Sequence, residues 1–261
     1  MNLNPNLNPD WNQSATDYAK HRAGFPDWFF DRVTTQGLFR PGSRVLDLAT
    51  GTGTLARGFA KRGGQVTGLD VATGMMAAAR ALDQAAGVDV EYIMGRAEAT
   101  GAGNDEFDLV SAGTCWFWFD GPAAAREAAR VLKPGGHLLI CFLSWLALPG
   151  NVAAATEQVI EKHNPNWDQG GLDPQVDWYL PDLERGGFAD CGSFSVDFDL
   201  PYSHKDWRGR IRASAGIGPS LSPDAVAAFD AEHAAMLARD FPGDPIPVPH
   251  RIIAAWGRKF G

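Results

Sequence analysis

Cysteine is scarce: Cys115, Cys141 and Cys191 are the only three in 261 residues, and no two lie close together. That usage argues against a disulfide framework and against a zinc site, so no metal is expected. Long apolar runs are missing as well. The longest, 138–143, falls far short of the ~20 residues that a membrane-spanning helix needs. The Asn- and Pro-rich start lacks the basic-then-apolar pattern of a secretory signal, and a cytoplasmic protein off the membrane is expected. An excess of basic charge is also absent. A net charge of −8 with a pI near 5.2 argues against a nucleic-acid surface. Internal repeats and a splitting linker are not seen, so residues 1–261 read as one domain with a sizeable core.

Within that domain the pattern divides. Residues 1–9 read as disordered, since alternating Asn and Pro leave little to bury. The rest of 1–40 reads as an aromatic-rich helical cap, with Tyr18, Phe25, Trp28, Phe29 and Val33 at roughly helical spacing and Pro26 starting a second helix. Packing explains most of these aromatics; Tyr18, His21 and Arg22 it explains less well. Strands are expected at 45–48, 66–69, 88–94, 107–112 and 137–143. Helices fall between them from Thr54, from a cap at Thr73, and over 122–132. Lys133-Pro134-Gly135-Gly136 reads as a stop and turn. This alternation argues for a Rossmann-like α/β fold with a parallel sheet across 41–143. Two insertions follow, 144–178 and 201–249, expected to fold over the carboxyl edge of the sheet. Helices are expected at 152–163, 180–186 and 223–239, a sixth strand at 193–200, a Pro-rich close at 241–249 and a last strand at 251–256.

The chain is organised around 44–57, where an apolar strand runs into Gly51-x-Gly53 and then a helix. Glycines there let the backbone turn sharply and approach a nucleotide, and Asp70 closes the next strand where such folds hold a ribose. Alone, this pattern fits a dinucleotide too, and an NAD-dependent oxidoreductase is one alternative. Three features favour S-adenosylmethionine. Asp47 just before the turn would repel a pyrophosphate and attract ammonium and sulfonium charges. Ala97 and Glu98 suit an adenine, through a backbone N–H and a carboxylate for the exocyclic amine. The aromatic cluster Thr114-Cys115-Trp116-Phe117-Trp118-Phe119-Asp120 could face a sulfonium, with cation–π contacts worth roughly 0.5–2 kcal/mol.

Taken together, 45–53, Asp70, Ala97-Glu98, 107–110 and 131–136 resemble the ordered motif series of class I S-adenosylmethionine-dependent methyltransferases. Tyr18-Ala19-Lys20-His21-Arg22, Phe25-Pro26 and Trp118-Phe119-Asp120 are similar to the small-molecule branch that includes trans-aconitate methyltransferase-like proteins. The resemblance implies a seven-stranded, mostly parallel sheet with an antiparallel last strand. It places Asp47, Ala49 and Gly51 around the methionine part of the cofactor, Asp70 on the ribose, and Ala97 with Glu98 on the adenine. Gly113 or Thr114 would line the path to the reactive methyl, and Tyr18 and Arg22 would close over the cofactor, Arg22 facing its carboxylate. Two departures stand out. Ala49 replaces a frequent glycine, which is tolerable if the position needs no positive φ. Phe117 replaces a frequent histidine.

Methyl transfer to a small molecule by in-line displacement needs little more than alignment, with a base only for a nucleophile that keeps its proton. Candidates for a catalytic role are His21 and Tyr18, with His204 and His250 as further candidate bases. Segment 201–212 places Trp207 near Ile211 and Arg208 near Arg212 on adjoining helix faces. It reads either as a solvated basic face or as a lid whose Arg208 or Arg212 meets a substrate carboxylate. Trp116, Trp118, Trp145, Trp178 and Tyr179 could wall an apolar pocket. A further alternative is a cofactor-binding protein that has lost catalysis. A small-molecule substrate and a monomer or homodimer are expected.

Overall fold

The computed structural model describes residues 10–167, 170 and 175–260. The segment 1–9, expected to be disordered, lies outside the described residues, as do 168–169 and 171–174 in the loop after Trp167. Two helices open the described chain, α1 (Trp11–His21) and α2 (Asp27–Thr35). Strand–helix units follow: β1 (Arg44–Leu48), α3 (Thr54–Ala60), β2 (Gln65–Asp70), α4 (Thr73–Ala86), β3 (Glu91–Met94), β4 (Phe107–Gly113), α5 (Gly121–Val131) and β5 (Leu132–Trp145). The chain continues through α6 (Val152–His163), α7 (Leu180–Arg185), β6 (Phe188–Tyr202), α8 (His204–Arg212), α9 (Pro223–Asp240) and β7 (Ile246–Lys259). Among the described residues no helix is long and apolar enough to cross a membrane.

Seven strands pair in the order β3-β2-β1-β4-β5-β7-β6. The first five are parallel, and β7 is inserted antiparallel to both β5 and β6. The order reverses between β1 and β4, so their carboxyl ends diverge and leave a crevice above the sheet. Both faces are covered, which is why β1 is buried at every position after Arg44. Leu46 and Leu48 point with Val110 and Ala112 toward α5, while Val45 and Leu109 pack with Phe29, Phe30, Val33 and Phe59 beneath α2 and α3. A separate apolar cluster is built by the insertions, around Trp145, Ile160, Trp207, Ile211 and Phe229.

Four expectations need correction. The segment 133–136 is a bulge within β5 rather than a stop and turn: Phe107 pairs with Leu132 and Leu109 already with His137, so two β4 steps oppose five residues. Strand β3 is shorter than 88–94. Thr73 does not cap α4; the N-cap is Ala72 without a side-chain bond, and Asp70 Oδ1 takes the Ala72 N–H instead. The last strand is more than twice its expected length, because Ile246–Pro249 of the Pro-rich close pairs with the end of β6.

In the insertion core the Thr156 hydroxyl donates to Val152 O, and so only accepts from Trp207 Nε1 and His233 Nε2. His233 must therefore be the neutral tautomer with its proton on Nε2, and among the described residues its buried Nδ1 has no partner. Burial pushes its pKa down to about 4. The unfolded chain takes up this proton near pH 6.5 and the folded chain only near 4. Stability is therefore full above pH 6.5 and falls as the pH drops toward 4, by about 3 kcal/mol from this residue. Urea unfolding across pH 4–7, with His233→Gln beside the parent protein, should show the variant losing less stability on acidification by about that amount.

Candidate active site

A cavity of about 250 Å³ opens over the crevice between β1 and β4. Its floor is the turn after β1. Ala49, Gly51 and Gly53 all take positive φ (44°, 56° and 76°), three left-handed residues in five. An added Cβ at Gly53 would lie 2.4 Å from the Tyr92 hydroxyl, so this glycine is required by packing; Gly51 lines the cavity. Asp70 fixes the turn. Its Oδ2 accepts from Gly51 N at 2.7 Å and its Oδ1 from Ala72 N at 2.8 Å, and burial raises its pKa. Each oxygen keeps a lone pair for a further donor.

Asp47 does not line the cavity. It lies beneath the floor, where register places it beside Ser111 of β4. Ser111 Oγ and Thr50 Oγ1 donate to its two oxygens at 2.7 Å each, and burial pushes its pKa up to about 6. Asp47 thus holds the turn from below and touches a ligand only through the floor. Ala49 also differs from expectation: its φ is positive, so alanine sits where glycine is the unstrained residue. Thr114, at the end of β4, is similarly left-handed at 60° and lines the cavity with Gly113.

One end of the cavity is lined by Asp70, Val71, Gly95, Ala97 and Glu98, which come from the ends of β2 and β3. The other end combines Phe142–Trp145 of β5 with Glu157, Trp167, Arg210 and Ser214 from the insertions. There Glu157 accepts from both indoles, Trp145 Nε1 and Trp167 Nε1, at 2.7 Å each. Trp11, Tyr18 and Arg22 of the N-terminal segment roof the cavity; Trp11 meets Trp118 edge-on at 5.7 Å, and the Arg22 guanidinium lies 4.6 Å from the Tyr18 ring centre.

Several expected residues lie elsewhere. His21 is 6% exposed, with Nδ1 2.9 Å from Asp206 Oδ1 and its ring against Gly209; it joins α1 to α8 and does not line the cavity. His204 Nε2 donates to Phe241 O, and the buried His250 donates from Nδ1 to Val248 O. Trp207 is fully buried. Arg208 pairs with Asp230, and Arg212 bridges Asp230 and Asp17, so neither reaches the cavity. Trp116 is buried with its Nε1 donating to Asp182, and Trp178 and Tyr179 also lie off the cavity. Trp11, Glu157, Trp167 and Arg210 were not expected in the site. A signal existed for Arg210 alone: three residues after Trp207, it shares the buried face of α8.

A doubly wound sheet, a glycine turn and a strand-end carboxylate gripping that turn define a Rossmann-like fold with a nucleoside site. A family profile described as a methyltransferase domain matches residues 46–140. An uncharacterized protein of Mycobacterium bovis is 31% identical over 218 residues, covering 77% of this chain and 76% of that one. Malonyl-[acyl-carrier protein] O-methyltransferase of Serratia marcescens is 34% identical over 115 residues, and the match spans only 44% of each protein. The crystallised phosphoethanolamine N-methyltransferase 2 of Haemonchus contortus, in complex with phosphomonomethylethanolamine and S-adenosylhomocysteine, shares the fold. It aligns with a TM-score of 0.56 at 19% identity, over 96% of this chain and 58% of that one. The chain belongs to the class I S-adenosylmethionine-dependent methyltransferase family.

The strain at Ala49 yields a simple check. Ala49→Gly should stabilise the protein by about 1 kcal/mol, since only glycine takes this φ at no steric cost. Urea unfolding at pH 7 measures it, and an unchanged or lower midpoint would remove strain from the account of the floor.

Proposed function

We propose that this methyltransferase passes a methyl group from S-adenosylmethionine to a small-molecule acceptor by in-line displacement. The observation that carries the reading is the continuity of the cavity, which joins the Asp70–Glu98 end to an aromatic end walled by the insertions. The α1 roof and the walls supplied by the insertions support an acceptor that enters the cavity.

The residues present fit the cofactor. Asp70 offers two buried lone pairs where ribose hydroxyls would donate, and Glu98 with Ala97 lies beyond it for the adenine. Arg22 and Tyr18 line the cavity that Gly51 also lines and are the groups available for the methionine carboxylate. When bound, S-adenosylmethionine supplies a methyl group on a sulfonium whose positive charge is dispersed as the methyl leaves. Phe117 and Trp118 line the same space and favour a cation over their rings. Asp47, ionised at neutral pH, adds negative potential beneath the floor. Gly113 and Thr114 sit between the two ends and set how closely an acceptor approaches. The three histidines proposed as base are engaged away from the cavity, Tyr18 alone of the expected catalytic residues lines it, and alignment is the protein's main contribution.

Calorimetry with S-adenosylhomocysteine should show binding that Asp70→Ala weakens at least tenfold, about 1.4 kcal/mol. Binding of NAD instead would overturn the reading. Labelled S-adenosylmethionine with a panel of metabolites then tests transfer, and uptake of label into none of them would leave a binding protein.

A further inference from the structure

Among the described residues Arg210 is a buried cavity-lining charge whose surroundings do not account for it. It is 5% exposed, yet among the described residues no carboxylate pairs with it, and its buried Nη1 has no hydrogen-bond partner. The guanidinium lies 4.7 Å from the Trp145 ring centre, which supplies a face but no acceptor. The Tyr202 hydroxyl is near enough to influence it and is itself without a sound hydrogen bond. Burial and the neighbouring positive Arg22 push the Arg210 pKa down to about 10, so the group is charged at neutral pH in a place that disfavours charge. Buried guanidinium groups are ordinarily paired. Its neighbours on α8 show the ordinary arrangement, Arg208 with Asp230 and Arg212 with Asp230 and Asp17.

We infer that Arg210 receives an oxyanion of the methyl acceptor, a carboxylate or a phosphate, at the end of the cavity remote from the nucleoside. The inference rests on the cofactor reading above. Position separates Arg210 from a role in holding the cofactor: it lines the cavity with Trp145, Trp167 and Ser214, all at or beyond the end of β5, whereas the nucleoside end is built from β1, β2 and β3. Arg22, on the roof beside Tyr18, is left for the methionine carboxylate. A planar fork with an empty N–H is matched by the two oxygens of a carboxylate or phosphate, and the indoles beside it suit an acceptor whose body is apolar.

The test uses the full chain saturated with S-adenosylhomocysteine and three probes of one shape: benzoate, phenyl phosphate and neutral benzamide. Calorimetry should find at least one of the two anions bound tenfold or more tighter than benzamide, and the better of the two identifies the oxyanion. Arg210→Met should abolish that preference, leave S-adenosylhomocysteine affinity within threefold, and melt no lower than the parent protein, because it removes an unpaired buried charge. Should Arg210→Met fail to fold, Arg210→Gln takes its place with the same expectation. Equal binding of all three probes, or a preference that survives the substitution, overturns the inference. A tenfold loss of S-adenosylhomocysteine affinity in the variant also overturns it, by assigning Arg210 to the cofactor. If the parent protein itself does not bind S-adenosylhomocysteine, the cofactor reading fails, and the assignment to an acceptor fails with it.

Discussion

The turn after β1 is held open by a carboxylate that belongs to the next strand. Asp70 closes β2, yet its two oxygens take the N–H groups of Gly51 and Ala72, tying the first residues of two separate turns to one point. A buried carboxylate is costly unless hydrogen-bonded, and these two bonds make its burial tenable. They also hold backbone that would otherwise relax, since Ala49, Gly51 and Gly53 are all left-handed. Asp47 does the same from beneath through Thr50 and Ser111. Two carboxylates one strand apart raise each other's cost of ionisation, and the site accepts that cost in exchange for a fixed floor.

The floor was legible in the sequence because it is local. Gly51, Gly53 and Asp70 fall within about one strand–helix–strand unit, and the short apolar strands around them are buried on both faces and read as such. Helix α6 was equally plain, bounded by Asn151, which caps it, and by the basic pair Lys162 and His163. The bulge at 133–136 was not, because Lys-Pro-Gly-Gly spells a turn and only the register of β4 reveals that the strand continues around it. The positive φ of Ala49 was hidden for a related reason: the loop geometry imposes it against the residue's own preference.

The aromatic end was much harder to read, since it is assembled across long separations. Arg208, Arg210 and Arg212 are alternate residues on one short helix, and the three-residue spacing from Trp207 to Arg210 is the sole local sign of which faces inward. Asp17 and Asp230, far off in sequence, draw Arg208 and Arg212 outward, and Trp207 carries Arg210 in. His21 follows the same rule: its neighbours in sequence line the cavity, but its partner Asp206 comes from the second insertion.

Roof and floor are therefore fastened by different physics. The floor rests on hydrogen bonds to buried carboxylates, which salt screens far less. Helix α1 is joined to α8 through Asp17–Arg212 and the contact of His21 with the half-exposed Asp206, groups that water and counter-ions can approach. Ionic strength is accordingly a stronger dial on one than on the other. Salt loosens the cover under which a ligand must pass while the platform that would grip a nucleoside keeps its shape, so entry and exit can be tuned by the medium separately from recognition.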